Sequence, residues 1–159
     1  MAKRDLKAFM RESAKQDEIV FATGPDTVKG DDGKPITLEI RVLNSAEIRK
    51  INDLYTKRTM ATDKRGNPYI QNGEVAYKVE TDIHRATGHL LAEALVYPDL
   101  KDPDLMKFFD CYDISEMAAK VFPRADEWSH VNRAVMAALG LNREPGSDDM
   151  ESDINEAKN

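Results

Sequence analysis

One cysteine, one tryptophan and no surplus of basic residues set the first limits on this chain of 159 residues. The lone Cys111 cannot close an intrachain disulfide, so the fold must rest on a hydrophobic core, and a chain of this length can bury roughly 70% of its unfolded surface. No segment approaches the ~18 consecutive apolar residues of a membrane span, and the opening MAKRDLKAFM lacks the apolar centre of a signal peptide. These absences predict a soluble, intracellular protein without a membrane partner. Twenty-three basic side chains face 29 acidic ones, for a net charge of -6. Residues 143–159 hold six of the acids against Arg143 and Lys158, so the tail carries -4 and the body -2. Without a basic patch, phosphate neutralisation has no footprint and nucleic acid is not an expected partner.

What is present reads as alternating elements. Leu6, Phe9 and Met10 have i, i+3, i+4 spacing, which predicts a short amphipathic helix in the first dozen residues. Glu18 to Thr23 and Ile36 to Leu43 read as antiparallel strands; in the second, Ile36, Leu38, Ile40 and Val42 alternate with polar residues. Gly24, Pro25, Gly30, Asp31, Asp32, Gly33 and Pro35 supply the turn chemistry of a wide hairpin between them. Asn44 or Ser45 can cap a helix with Ile48, Ile51, Leu54 and Tyr55 on one face, and Glu47 is placed to complete a capping box with Asn44. Thr56 to Gly73 reads as a polar loop, after which Val75, Val79, Ile83, Ala86, Leu90 and Ala94 predict one long helix from about Glu74 to Val96. Pro98 ends it, and Asp102-Pro103 opens the next helix as N-cap and first helical residue. Asp113 to Glu116 reads as another capping box, Pro123 as a stop, and Trp128, Val131, Val135 and Ala138 as the buried face of a last helix closed by Gly140. The fold class this order predicts is α+β, an N-terminal antiparallel β-hairpin packed on a mainly helical bundle. Residues 1–142 read as a single domain and 143–159 as an acidic disordered tail.

Catalytic and metal chemistry find little support. Asp82, His89 and Glu93 share one flank of the long helix, yet such spacings are common on polar flanks, Arg85 is placed to pair with Asp82, and no HExxH or Cys/His cluster occurs. His84 and His130 are isolated. The segment GPDTVKGDDGK from Gly24 to Lys34 fails as a phosphate loop because five residues, where the motif has four, separate Gly24 from Gly30, and a strand follows. It fails as a calcium loop because its acids lack the required spacing. Cys111 lies among aromatic and acidic residues, which disfavour a thiolate nucleophile. The reading is therefore no enzyme, no cofactor and no metal. One stretch exceeds what a short helix can bury: Leu105, Met106, Phe108, Phe109, Tyr112, Ile114 and Met117 concentrate large apolar side chains. Leu105, Met106, Phe109, Tyr112 and Met117 are the candidate partner-binding residues, with Met106 and Phe109 preferred as contacts and Leu105, Phe108 and Tyr112 available to the core.

The order of several short motifs resembles the XkdN-like family of phage tail assembly chaperones. They are Leu6-Lys7-x-Phe9, Gly33 to Ile36 entering a strand, the helix start at Glu47 to Lys50, Val96-Tyr97-Pro98-Asp99-Leu100 with Asp104-Leu105 after it, and Phe122-Pro123 before a helix ending at Leu139 to Asn142. The chain departs from the family at Arg124 to Trp128, where Trp128 replaces the usual aromatic anchor, and in an acidic tail longer than expected. The resemblance implies a non-enzymatic protein of the host cytoplasm that binds the tape measure protein and keeps it soluble while the tail tube protein polymerises around it. It further implies absence from the finished virion and, in many phages, a frameshifted longer form. A protein that coats an extended target gains from repeating along it, so a homo-oligomer is expected, as dimers or larger rings or spirals. The alternative reading is a structural tail completion or connector protein of the virion.

Overall fold

A computed structural model describes residues 4–12 and 17–141, and the tail expected at 143–159 lies outside them. Local chemistry sets most element starts. The strands are β1 (Ile19–Thr23), β2 (Thr37–Arg41), β3 (Thr56–Met60), β4 (Ile70–Gln71), β5 (Glu74–Val75), β6 (Tyr77–Thr81) and β7 (Leu95–Tyr97). The helices are α1 (Ser45–Leu54), α2 (Ile83–Ala94), α3 (Pro103–Phe108), α4 (Ile114–Val121) and α5 (Ala125–Ala138). The chain is thus α+β, with every pairing between these strands antiparallel. Among the described residues no helix is long and apolar enough to cross a membrane.

Two compact units form, and the chain passes between them more than once: residues 17–43, 93–99 and 124–141 build the first, and 44–92 with 100–123 the second. In the first, β1 and β2 pair from Ile19 opposite Arg41 to Thr23 opposite Thr37, as the alternating pattern predicts. The wide turn closes through the Gly24 N–H donating to the Ile36 carbonyl at 2.7 Å. A Cβ at Gly24 would come within 2.8 Å of Ile36, so the close approach requires glycine. Leu38 and Ile40 of β2 are fully buried, as are Val131 and Val135 of α5. Hydrogen bonds fasten α5 to the hairpin: the Thr27 hydroxyl donates to Glu127 Oε1 at 2.5 Å, and His130 Nε2 to the Thr23 carbonyl at 2.8 Å. Gly140, at φ +73°, closes α5 with the Leu141 N–H donating back to the Met136 carbonyl, the expected C-terminal cap.

The predicted long helix is corrected at both ends. Its last residues, Leu95 to Tyr97, form β7 and occupy the second edge of β2, giving a three-stranded sheet in the order β1-β2-β7. A hairpin alone leaves that edge open, and pairing there outweighs one more helical turn. Pro98 follows through a cis peptide. At the other end, Tyr77–Thr81 is β6, paired with β3 from Thr56 opposite Thr81 to Met60 opposite Tyr77. The i, i+4 spacing of Val75 and Val79 fits period two as well as period 3.6, and Tyr77 and Thr81 complete a β-type alternation.

Residues 56–81, in the second unit, therefore form a ribbon instead of a loop and a helix start. The tip carries the short β4–β5 hairpin, whose Asn72 and Gly73 both take positive φ, the signature of a type I′ turn. No residue from Asn52 to Arg85 is buried. The expected N-terminal helix is reduced to one 3-10 turn at Lys7–Phe9, with Leu6, Phe9 and Met10 all exposed.

Candidate partner-binding site

The site stretch lies in the second unit and is built by two caps separated by a sharp turn. Asp102 Oδ1 accepts from the N–H groups of Asp104 and Leu105 at 2.9 and 3.1 Å, and Pro103 takes the first helical position, as the sequence predicts. After Phe108 the chain turns through Asp110 at φ +49°, with the Cys111 N–H donating to the Met106 carbonyl at 3.0 Å. Asp113 then caps α4 by accepting the Ser115 N–H at 3.0 Å. The expected capping box gives way to a tighter arrangement in which the Ser115 hydroxyl donates to Asp113 Oδ1 at 2.6 Å.

This geometry redistributes the apolar side chains. Met117 is fully buried and belongs to the core, because α4 turns it to the same side as Ala118, so it is not available as a surface contact. Leu105, Met106 and Phe109 are half-buried. Phe108 and Tyr112 stand out at 80% and 71% exposure. Phe108, expected to serve the core, thus lies on the surface, as does Tyr112, a candidate contact that was also available to the core. Phe108 packs edge-to-face on Phe109 at 4.9 Å between ring centroids, which fixes the orientation of an otherwise solvent-exposed ring. Cys111 is buried with its Sγ 3.5 Å from the Asp113 carbonyl, consistent with a core role.

A polar network holds the scaffold behind these rings. Arg85 Nη2 donates to Asp113 Oδ2 at 2.9 Å and Nε to the Ser115 hydroxyl at 3.2 Å, tying α2 to α4. Arg85 also lies over the Tyr55 ring at 5.1 Å, and the Tyr55 hydroxyl shares a 2.7 Å hydrogen bond with His89 Nδ1. His89 is thereby engaged in packing α1 on α2, while Arg85 pairs with Asp113 and only its backbone N–H reaches Asp82. Among the described residues no group of three or more His, Cys, Asp or Glu could hold a metal ion.

The Ser115 hydroxyl foremost, then its N–H and the Arg85 guanidinium, hold the Asp113 carboxyl below its ordinary range. A depressed folded pKa contributes stability above the unfolded value near 3.9 and loses it as pH falls through the folded value. Asp113→Asn keeps a capping side chain and removes the charge. Because the carboxylate is 45% exposed, the wild-type advantage should be no more than about 1 kcal/mol at pH 7. Urea midpoints should converge as pH falls below the ordinary carboxylate range and through the lowered folded-state value; a gap independent of pH would refute the assignment.

The chain belongs to the phage XkdN-like tail assembly chaperone family, whose model matches residues 6–158. That match takes in the acidic tail. The fold is similar to the crystal structure of the protein yqbn, at a TM-score of 0.64 and 16% identity over 87% of this chain and 98% of that one. No curated protein matches the chain.

Proposed function

We propose that this protein binds the tape measure protein of its phage and keeps it soluble while tube subunits, which it also contacts, polymerise around it. It then leaves, so the finished virion lacks it. It works without catalysis or cofactor, in the host cytoplasm, as a homo-oligomer. Family membership supports the assembly role. The observation that carries the binding reading is the pair of Phe108 and Tyr112, held exposed at 80% and 71% beside half-buried Leu105, Met106 and Phe109. A tape measure chain displays long apolar stripes before enclosure. Apolar burial, at roughly 25 cal/mol per Å², masks such stripes without reading a fixed sequence.

Co-expression tests this directly. The tape measure protein should partition into the soluble fraction with the chaperone and into the pellet without it, and the two should co-purify. Mass spectrometry of purified tails should find no copy of the chaperone. Stoichiometric retention in tails would instead establish a structural completion or connector protein.

A further inference from the structure

We propose that the outer face of the three-stranded sheet holds a slot for a basic side chain, and that its occupant is the tip of the 56–81 ribbon of a second copy. The proposal rests on the self-association part of the reading above and names the surface. Pairing register aligns Phe21, Glu39 and Tyr97 across β1, β2 and β7. Phe21 is 64% and Tyr97 50% exposed, so two rings flank one carboxylate on the solvent side. With strands spaced about 4.8 Å apart, a cation over Glu39 lies within cation–π range of both rings. The depression they line has a volume of about 500 Å³ and includes Asp32 and Lys34. Two carboxylates against one ammonium leave it acidic. Asp32 accepts the Lys34 N–H at 3.0 Å, whereas among the described residues Glu39 has no ion pair or side-chain hydrogen bond.

Charge identifies the occupant. Residues 56–81 carry five basic and three acidic side chains, while the rest of the chain has eighteen bases against twenty-six acids. Within the ribbon Arg58 is stacked on Tyr77 at 4.2 Å and Lys78 is paired with Glu80 at 2.7 Å. The tip bases Lys64 and Arg65 have no such partner among the described residues. They sit on a turn made rigid by Asp63 Oδ1, which accepts the N–H groups of Arg65 and Asn67 at 2.9 Å each. The same ribbon exposes Met60, Tyr69, Ile70, Val75, Tyr77 and Val79 and buries nothing. A two-stranded ribbon is marginal alone in water, so a covering surface stabilises it. Tip and slot are different surfaces, so the contact is heterologous and propagates from copy to copy into a ring or filament.

The test uses the full chain in light scattering across a wide concentration range. Glu39→Lys, and separately Lys64→Glu with Arg65→Glu, should each weaken association at least about tenfold, since both place like charges together. Combining all three substitutions in one chain should restore it, and mixing the two defective variants should regenerate mixed oligomers. All altered side chains lie on exposed or half-buried ribbon and sheet positions, and restored assembly is itself evidence of an intact fold. A wild-type chain that stays monomeric overturns both this contact and self-association. Oligomers indifferent to either reversal, or reversals that the combination does not rescue, overturn the contact alone.

Discussion

A Gly88→Ala variant is expected to melt roughly 6 °C below the parent chain. Helix propensity alone gives the opposite sign, since alanine in a helix interior is worth about 1 kcal/mol over glycine. Packing decides the outcome. Gly88 is buried in α2, and a Cβ there would overlap the Ser115 carbonyl oxygen and reach 3.0 Å from its carbonyl carbon. The obstacle is backbone, so no rotamer change relieves it, and α4 must move away from α2. That shift would pull Ser115 from its hydrogen bond with Arg85. Overpacking of this kind costs about 3 kcal/mol, several times the propensity gain. Thr87→Ala, one residue away and half-buried, should change stability by less than about 1 kcal/mol. A Gly88→Ala midpoint equal to or above the parent's would refute the close-approach argument.

The elements legible in the sequence are those fixed by local chemistry. Asn44 with Glu47, Asp102 with Pro103, Asp113, and Gly140 each satisfy the backbone groups of a helix end through neighbours within a few residues, so short motifs suffice. The β1–β2 pairing was likewise readable, through the alternation of β2, because one face of that strand is buried. Elements fixed by distant pairing were not. β7 exists because β2 offers an edge, and nothing within Leu95 to Tyr97 declares it. β3 and β6 are held by backbone pairing with no buried side chain, so Thr56 to Met60 carries no hydrophobic alternation to detect.

The same distinction applies to the two candidate surfaces. Concentrated apolar residues between Leu105 and Met117 marked the first, but its exposed members could not be read from one helical wheel. The positive φ of Asp110 breaks the stretch into two helices, after which Met117 faces inward and Phe108 outward. In the second, Phe21 faces Glu39 through a register that strand alternation alone did not specify, and Tyr97 joins them because the helix gives way to β7.

Replacing Phe108 and Tyr112 together by aspartate should abolish solubilisation of the tape measure protein while leaving the chaperone folded. Their high exposure means little core contact is lost, and surface changes of this type usually shift stability by no more than about 0.5 kcal/mol. Binding should respond far more strongly. Two aromatic anchors are removed, and two carboxylates must be desolvated against an apolar stripe, which together disfavours the complex by several kcal/mol. Half-buried Met106 and Phe109 are the contrasting pair: aspartate there would place a charge at partly buried positions, so loss of stability would accompany any loss of binding. The expected result is a Phe108→Asp, Tyr112→Asp chain with parental circular dichroism and melting, purified alone, beside a tape measure protein driven into the pellet. A folded double variant that still holds the tape measure protein in solution would place the binding surface elsewhere, and one that fails to fold would show that the two rings support the core.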